Sequence, residues 1–157
     1  SCRNQMIVTF CGHRNITERE TVKEKLSAEI FRLFVGAEHS NTSLSFYCGG
    51  YGEFDRLSEQ IIEEVRRGFP TVSCEKLFIT PYITPPYKER NDIMKERFDG
   101  ILYPPIENVP YRFAIIRRNE WMVDKSDLLI AYVKYSWGGA ARTLEYARRK
   151  QKRIVMI

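Results

Sequence analysis

The chain has 157 residues, of which 43% are hydrophobic and 29% are charged, and its formal net charge is +5. This length and composition are those of one ordinary globular domain with a real core. No apolar run approaches the roughly 20 residues that span a bilayer, and no signal-peptide pattern is present. We therefore expect a cytoplasmic protein without a membrane partner, whose mild positive charge suits anionic ligands without requiring nucleic acid.

The cysteines do not form a metal-binding pattern. They stand at positions 2, 11, 48 and 74, none of them in a CxxC pair, and the chain has only two histidines. This argues against a zinc site, so we expect no metal. The thiols are interpreted as reduced and inert.

The first half of the chain alternates strands with helices. The β-branched run Gln5–Phe10 predicts the first strand, and apolar spacing predicts a helix that opens at Thr17, with Glu20 in capping-box position. Gly36 is a predicted helix end. A second strand, 43–48, runs through a glycine turn into a helix that ends near residue 67, and the third strand is predicted at 72–79.

The second half begins with a segment predicted as an insertion over one edge of the sheet. It comprises a short polar helix at 87–99 and a proline-rich loop at 100–110. The remaining predicted elements are a helix at 111–125, a continuous apolar strand at 128–133, a helix that ends near 150 and a last strand at 153–157.

This order of elements predicts an α/β fold, a Rossmann-like doubly wound and mostly parallel five-stranded sheet flanked by helices, as a single domain over residues 1–157. Ligands bind such sheets at the carboxyl ends of the strands, near the switch in strand order. Three strand ends carry glycine and polar residues and are expected to meet there: Gly12-His13-Arg14, Gly49 to Asp55, and Tyr135 to Thr143.

These three motifs, with Gly138-Gly139 opening the last helix, resemble the SLOG (Smf/DprA–LOG) superfamily of Rossmann-like nucleotide-binding domains. Gly12-His13-Arg14, and Arg118-Asn119-x-x-Met122 before Ser126-Asp127, are most similar to its YpsA-like branch. The resemblance implies a pocket for a nucleotide or a nucleotide-derived ligand. It also implies self-association as a further expectation, because relatives commonly form homo-oligomers.

The candidate binding residues fall into groups by chemistry. Glycines that would admit the ligand are Gly12, Gly49, Gly50, Gly52, Gly138 and Gly139. Arg14 and Arg118 would neutralise phosphate, with Asn119 beside Arg118 as the resemblance implies. Asp55 would accept a sugar hydroxyl or cap its helix.

The remaining candidates lie on the first and last of the three strand ends. His13 would hydrogen-bond the ligand or act as a general base. Tyr135 or Trp137 would contact a base through an aromatic face. Thr143 would cap the last helix or bind phosphate.

Three functions follow as hypotheses. The leading one is binding of a nucleotide or nucleotide-derived small molecule, as a sensor or regulatory module that requires no cofactor. The second is phosphoribohydrolysis of a nucleoside monophosphate, as in the LOG branch, with Glu145 as the catalytic residue; counted from Thr143, however, the LOG glutamate position holds Tyr146. The third, less favoured, is DNA binding as in the DprA branch, to which a basic cluster at 148–153 would contribute.

Overall fold

The computed structural model describes residues 4–81, 88–106 and 108–157. Strands and helices alternate along them. Within these ranges the elements are β1 (Asn4–Gly12), α1 (Arg19–Ser40), β2 (Thr42–Cys48), α2 (Glu53–Arg66), β3 (Cys74–Ile79), α3 (Lys88–Met94), β4 (Gly100–Leu102), a 3-10 turn (Tyr111–Phe113), α4 (Ala114–Lys125), β5 (Leu128–Tyr132), α5 (Gly139–Arg149) and β6 (Arg153–Met156).

The described strands form one sheet in the order β4-β3-β2-β1-β5-β6, and every pair is parallel. The strand order reverses at β1, which pairs with β2 on one side and with β5 on the other. The predicted α/β, Rossmann-like, doubly wound fold is confirmed. The reversal places the carboxyl ends of β1, β2 and β5 side by side, where such sheets bind ligands.

Helices cover both faces of the sheet. The main core lies between the sheet and α1 and α2, and its central side chains are Val8, Leu26, Ile30, Phe34, Phe46, Phe54, Leu57, Ile61 and Ile130. A second, smaller core between the sheet and α4 and α5 contains Val123, Leu129 and Leu144. Alternate residues of each buried strand therefore serve opposite faces, which explains why their sequences are continuously apolar.

The sheet has six described strands rather than the five predicted. Gly100–Leu102, predicted as loop, is the edge strand β4, which pairs with β3 in register. The Thr80 N–H donates to the Leu102 carbonyl and extends this pairing. A three-residue strand beside prolines is too short to show an alternating pattern, so the sequence did not reveal it. The predicted helix at 87–99 is confirmed over Lys88–Met94; Tyr87, like Cys2, lies outside the described residues.

Both predicted ends of the first helix are wrong. The helix begins at Arg19, after a left-handed Glu18 (φ 56°), without a side-chain cap. The Thr17 amide instead donates to the buried Tyr132 hydroxyl, so Thr17 anchors the loop to β5. At the other end the helix passes through Gly36 and stops at Asn41, whose left-handed backbone (φ 53°) allows its N–H to donate to the Ala37 carbonyl. Asparagine adopts this conformation readily, so it ends a helix as glycine does.

No helix among the described residues is both long and apolar enough to cross a membrane.

Two glycines are expected to respond in opposite ways to substitution by alanine. Gly36 lies inside α1, and none of the neighbouring residues that the structure describes comes within 4 Å of an added Cβ, so G36A should raise the free energy of unfolding by about 0.5–1 kcal/mol. At Gly12 an added Cβ would lie 2.3 Å from the Phe54 ring, so G12A should lower it by about 1–3 kcal/mol. Urea denaturation measures both. A neutral G12A would contradict the packing described here.

Candidate functional site

The structure brings together the three strand ends that the sequence singles out. We call these three strand ends together the rim. The rim comprises residues 12–14 at the end of β1, residues 49–52 after β2 and residues 134–139 after β5. The Arg14 carbonyl accepts a hydrogen bond from the Glu53 amide at the start of α2 (2.8 Å). The Lys134 amide donates to His13 Nε2 (2.7 Å). The loop after β1 is therefore bonded to both of its neighbours.

The glycines of the first two strand ends meet packing requirements. Gly12 lies against the Phe54 ring, and a Cβ on Gly50 would lie 2.7 Å from the Phe78 ring. Gly50 and Gly52 also have positive φ angles, 80° and 92°, which side chains disfavour. A Cβ on Gly52 would lie 3.2 Å from the Arg14 Cα. Close backbone packing therefore accounts for these glycines, and their role towards a ligand stays a prediction.

Arg118 lies beneath the rim. It is 4% exposed, and its Nη1 donates to the carbonyls of Gly49 (3.2 Å) and Ile79 (2.7 Å). Its Nε donates to Asn119 Oδ1 (2.8 Å). The side chain thus ties the ends of β2 and β3 together. The neighbouring Arg117 is exposed and pairs with Glu120, so Arg118 is the inward-facing arginine, as predicted; phosphate binding by Arg118 and Asn119 stays a prediction.

Asp55 lies beside Arg118 under the same turn. Its Oδ2 is 3.0 Å from the position that a Cβ on Gly49 would occupy, and its carboxylate accepts a hydrogen bond from the Tyr51 amide. As a residue Asp55 is half-buried, but its carboxyl group is enclosed by protein atoms. Burial raises its pKa to about 7, although the Arg118 guanidinium opposes the shift. The N-cap residue of α2 is Gly52, and no side-chain hydrogen bond among the described residues caps the helix, so the bond from Tyr51 ties Asp55 to the preceding turn, and the sugar-hydroxyl role of Asp55 stays a prediction.

The ion pair between Glu59 and the partly exposed Arg97, which sequence reasoning missed, also supports the turn. Glu59 is 3% exposed, and both of its oxygens accept from Arg97 Nη2 at 2.7 Å. Burial raises the pKa of Glu59, and the hydrogen bond from Arg97 opposes this shift. Neither residue belongs to a periodic apolar pattern or to a motif, and each lies in a stretch rich in charged residues. The sequence therefore does not mark them.

An exposed aromatic stack forms the β5 side of the rim. The His13 and Tyr135 ring centroids are 4.5 Å apart, and the Tyr135 and Trp137 rings are stacked at 4.9 Å with an interplanar angle of 19°. Tyr135 is 45% exposed and Trp137 69% exposed. Burial and the charge of Lys134 lower the pKa of His13, so its ring is neutral at pH 7. The stack presents apolar ring faces to solvent.

The start of α5 adjoins this stack and is open. Gly138 has a φ of 94°, and no atom of the other described residues lies within 4 Å of a Cβ added to Gly138 or Gly139. Backbone amides at such a helix start, together with the helix dipole, favour anions. Thr143 does not cap the helix, which corrects one of its two predicted roles. It is the fifth residue of α5, and its hydroxyl donates back to the Gly139 carbonyl (3.0 Å).

The candidate catalytic residue, Glu145, does not belong to the rim. Glu145 is exposed on α5, and among the described residues no hydrogen bond or ion pair joins it to the strand ends. Its neighbour Tyr146, at the LOG glutamate position, donates to the Asp124 carboxylate at 2.8 Å and so faces α4. Burial and this bond raise the pKa of Tyr146 to about 12. Hydrolysis through Glu145 stays a prediction without support from the geometry.

Exposed cations lie at both ends of α5. Arg14 and Lys134 belong to the rim, and Arg142 lies in the first turn of α5; all three are exposed. The basic cluster at 148–153 follows from the other end of the helix. Because a helix in this fold runs antiparallel to its strands, that cluster lies towards the amino ends of the strands, away from the rim.

The comparisons with known proteins agree with the fold. No protein-family model and no curated protein sequence matches the chain. Among solved structures, it is similar to DNA processing protein A from Helicobacter pylori, described for its single-stranded DNA binding mode, with a TM-score of 0.60 and 16% identity over 96% of this chain and 64% of that chain. It is also similar to DNA processing protein A (DprA) from Streptococcus pneumoniae, with a TM-score of 0.60 and 14% identity over 96% of this chain and 50% of that chain.

The chain has a DprA-like fold. This is the Rossmann-like fold that the SLOG resemblance implied, and the YpsA-like branch stays a prediction. The chain spans less than two thirds of the Helicobacter protein and half of the Streptococcus protein.

Replacing Asp55 should change how stability depends on pH. A carboxyl whose pKa rises from 3.8 to about 7 on folding binds a proton more tightly in the folded state. Its contribution is therefore full below pH 3.8 and is lost as the pH rises through 7. In the unchanged protein, the free energy of unfolding should therefore fall as the pH rises from 4 to 7, with a slope of up to about 1 kcal/mol per pH unit. In D55N this slope should disappear.

The exposed carboxylate Asp92, which pairs with Lys95 on the surface, provides the matched control. D92N should keep the slope of the unchanged protein. Equal slopes in D55N and in the unchanged protein would show that the Asp55 carboxyl is not enclosed as described.

Proposed function

We propose that the protein binds a nucleotide or a nucleotide-derived small molecule at the rim, with its base on the Tyr135–Trp137 stack. The observation that carries this proposal is the adjacency of two unlike features. One is a pair of exposed, mutually stacked rings, and the other is an open helix start two residues further along the chain. A nucleotide has a matching pair of features, a flat base and a phosphate.

The stack suits a base for physical reasons. Every base has a π face, and base–aromatic stacking contributes about 1–3 kcal/mol per base. The stack is held from behind, because His13 contacts Tyr135 and accepts the Lys134 amide hydrogen bond. The rings are thus oriented before a ligand arrives, which lowers the entropic cost of binding.

The phosphate would lie at the start of α5. Gly138 and Gly139 place no side chain over the first amides of the helix, and the exposed Lys134 and Arg142 flank this position along the chain. In this arrangement Arg118 and Asp55 support the rim from beneath, since both already bond to the backbone of the glycine turn.

Nucleotide binding should depend on Trp137. A thermal-shift screen with nucleoside monophosphates, ADP-ribose, NAD and cyclic dinucleotides would identify a ligand, because a ligand of the folded state raises stability by RT ln(1 + [L]/Kd). Calorimetry on W137A should then show Kd raised by roughly five- to a hundredfold, the loss of one base stack. In W121F, where Trp137 is the only tryptophan, the ligand should quench fluorescence.

The matched control is Tyr103, which is 51% exposed and directly follows the edge strand β4, four positions from β5 in the sheet. Y103A should bind as the unchanged protein does. The proposal fails if no nucleotide binds, or if W137A keeps the Kd of the unchanged protein.

Single-stranded DNA is the second candidate. Two observations favour it: the stack lies on the surface beside exposed cations, and a protein of the same fold is described for its single-stranded DNA binding mode. A strand could place successive bases on the Tyr135 and Trp137 side of the rim and its backbone along Arg14, Lys134 and Arg142. Exposed aromatic faces with flanking cations are the usual means of such binding.

DNA binding at the rim predicts a specific salt dependence. For a 20-nucleotide oligothymidine, log K should fall linearly with log salt, with a slope of about 0.7 per phosphate contact. K134A/R142A should reduce that slope by about 1 to 2 and weaken binding. R148A/R149A removes the same charge at the far end of α5 and should leave the slope unchanged. Absence of binding at low salt, or loss confined to R148A/R149A, would exclude DNA binding at the rim.

A further inference from the structure

Two arginines from separate segments reach the same two-residue turn. Arg118, on α4, donates to the Gly49 carbonyl, and Arg97, just after α3, donates to the Gly50 carbonyl through Nη2; both distances are 3.2 Å. The turn has no side chains of its own to hold it, and Gly50 has a φ of 80°. Glycine is the residue with the most backbone freedom, so restraint must come from outside the turn.

The contacts fix the orientation of a peptide plane. The described residues contain no cis peptide bond, and in a trans peptide the carbonyl and the following N–H point in opposite directions. The peptide between Gly50 and Tyr51 is held at both ends: its oxygen accepts from Arg97, and its N–H donates to the Asp55 carboxylate. A flip of this peptide would break both bonds at once.

Arg97 is itself held in place. Its Nε and Nη2 donate to Glu59 at 3.0 and 2.7 Å, and its guanidinium lies over the Phe98 ring at 5.3 Å. Phe98 is buried and stacks on Phe78, the ring that Gly50 packs against. A planar guanidinium can serve a carboxylate and a carbonyl together, which a lysine ammonium does with far less geometric control.

We propose that Arg97, oriented by Glu59, is a positioning residue that fixes the Gly50–Tyr51 peptide and so sets the shape of the rim for its ligand. The ligand part of this inference rests on the proposed nucleotide function; the effect on the turn does not. Residues 91–99, which sequence patterns assign to an insertion over the sheet edge, would then control the site from below. A groove of about 540 Å³ between α2 and residues 96–99 is lined in part by this pair, of which Arg97 is partly exposed and Glu59 is buried.

The direct test is amide hydrogen exchange of Tyr51, followed by NMR. In R97K the charge beside Glu59 remains but the simultaneous contact with the Gly50 carbonyl is lost. Exchange at Tyr51 should speed up roughly three- to tenfold, the loss of about one hydrogen bond. E59Q, which removes the charge that orients Arg97, should act in the same direction and serves if R97K does not fold.

The matched control is R66K. Arg66 lines the same groove and also bonds to carboxylates, of Glu63 and Asp99, but its backbone partner is the Cys74 carbonyl, away from the turn. R66K should leave Tyr51 exchange unchanged. Equal acceleration in R66K and R97K, or none in R97K, would overturn the proposal.

Binding of the nucleotide found in the screen provides a second measurement. R97K should raise its Kd several-fold, and R66K should not. An unchanged Kd in R97K despite faster Tyr51 exchange would overturn the link to the ligand. If no nucleotide binds the unchanged protein, the proposed function fails while faster exchange in R97K still establishes Arg97 as the residue that fixes the turn.

Discussion

The rim depends on a buried layer of alternating charges beneath the Gly49–Gly50 turn. Asp55 and Arg118 form one half of this layer, and Glu59 and Arg97 form the other. Burying charges is expensive unless they are paired and their remaining hydrogen-bonding groups are satisfied. Here the spare donors of both arginines bond to the backbone carbonyls of Gly49 and Gly50 in the turn and of Ile79 at the end of β3. The charges thus determine where the strand ends lie, and the fold compensates their desolvation with hydrogen bonds.

This arrangement divides the rim into two kinds of surface. On the β1 and β2 sides, glycines are packed tightly: Gly12 against Phe54, Gly50 against Phe78, and Gly52 against the loop after β1. The backbone of the turn after β2 is also held by hydrogen bonds from the arginines below. On the β5 side, Gly138 and Gly139 meet open space beside two exposed rings. A packed, hydrogen-bonded turn is rigid, whereas an open helix start with aromatic neighbours can accept a ligand. The two glycine motifs therefore have different structural surroundings, although they look alike in sequence.

The parts of the fold that local patterns encode were predictable. Apolar runs and helical spacing located five of the six described strands and the main helices, because burial on one or both faces produces a recognisable pattern of apolar residues. β4 shows no such pattern in the sequence, since its three residues take their strand conformation from pairing with β3. The left-handed residues Glu18 and Asn41 set the ends of α1 where Thr17 and Gly36 were expected to, because tertiary contacts of Thr17 outweigh its capping preference.

For the candidate site, the sequence indicated which strand ends meet but not what each side chain contacts. Arg118 could be placed on the inward face of α4 by spacing from Met122, yet its carbonyl partners lie 39 and 69 residues away in sequence. Arg97 and Glu59 are likewise 38 residues apart. An arginine whose guanidinium bonds to carbonyls and an arginine that is free to bind phosphate can have the same local sequence. Only the tertiary structure distinguishes them. Here both inward arginines are engaged with the protein itself, so under the proposed function recognition of an anion would fall to backbone amides and to exposed cations, whose positions no motif marks.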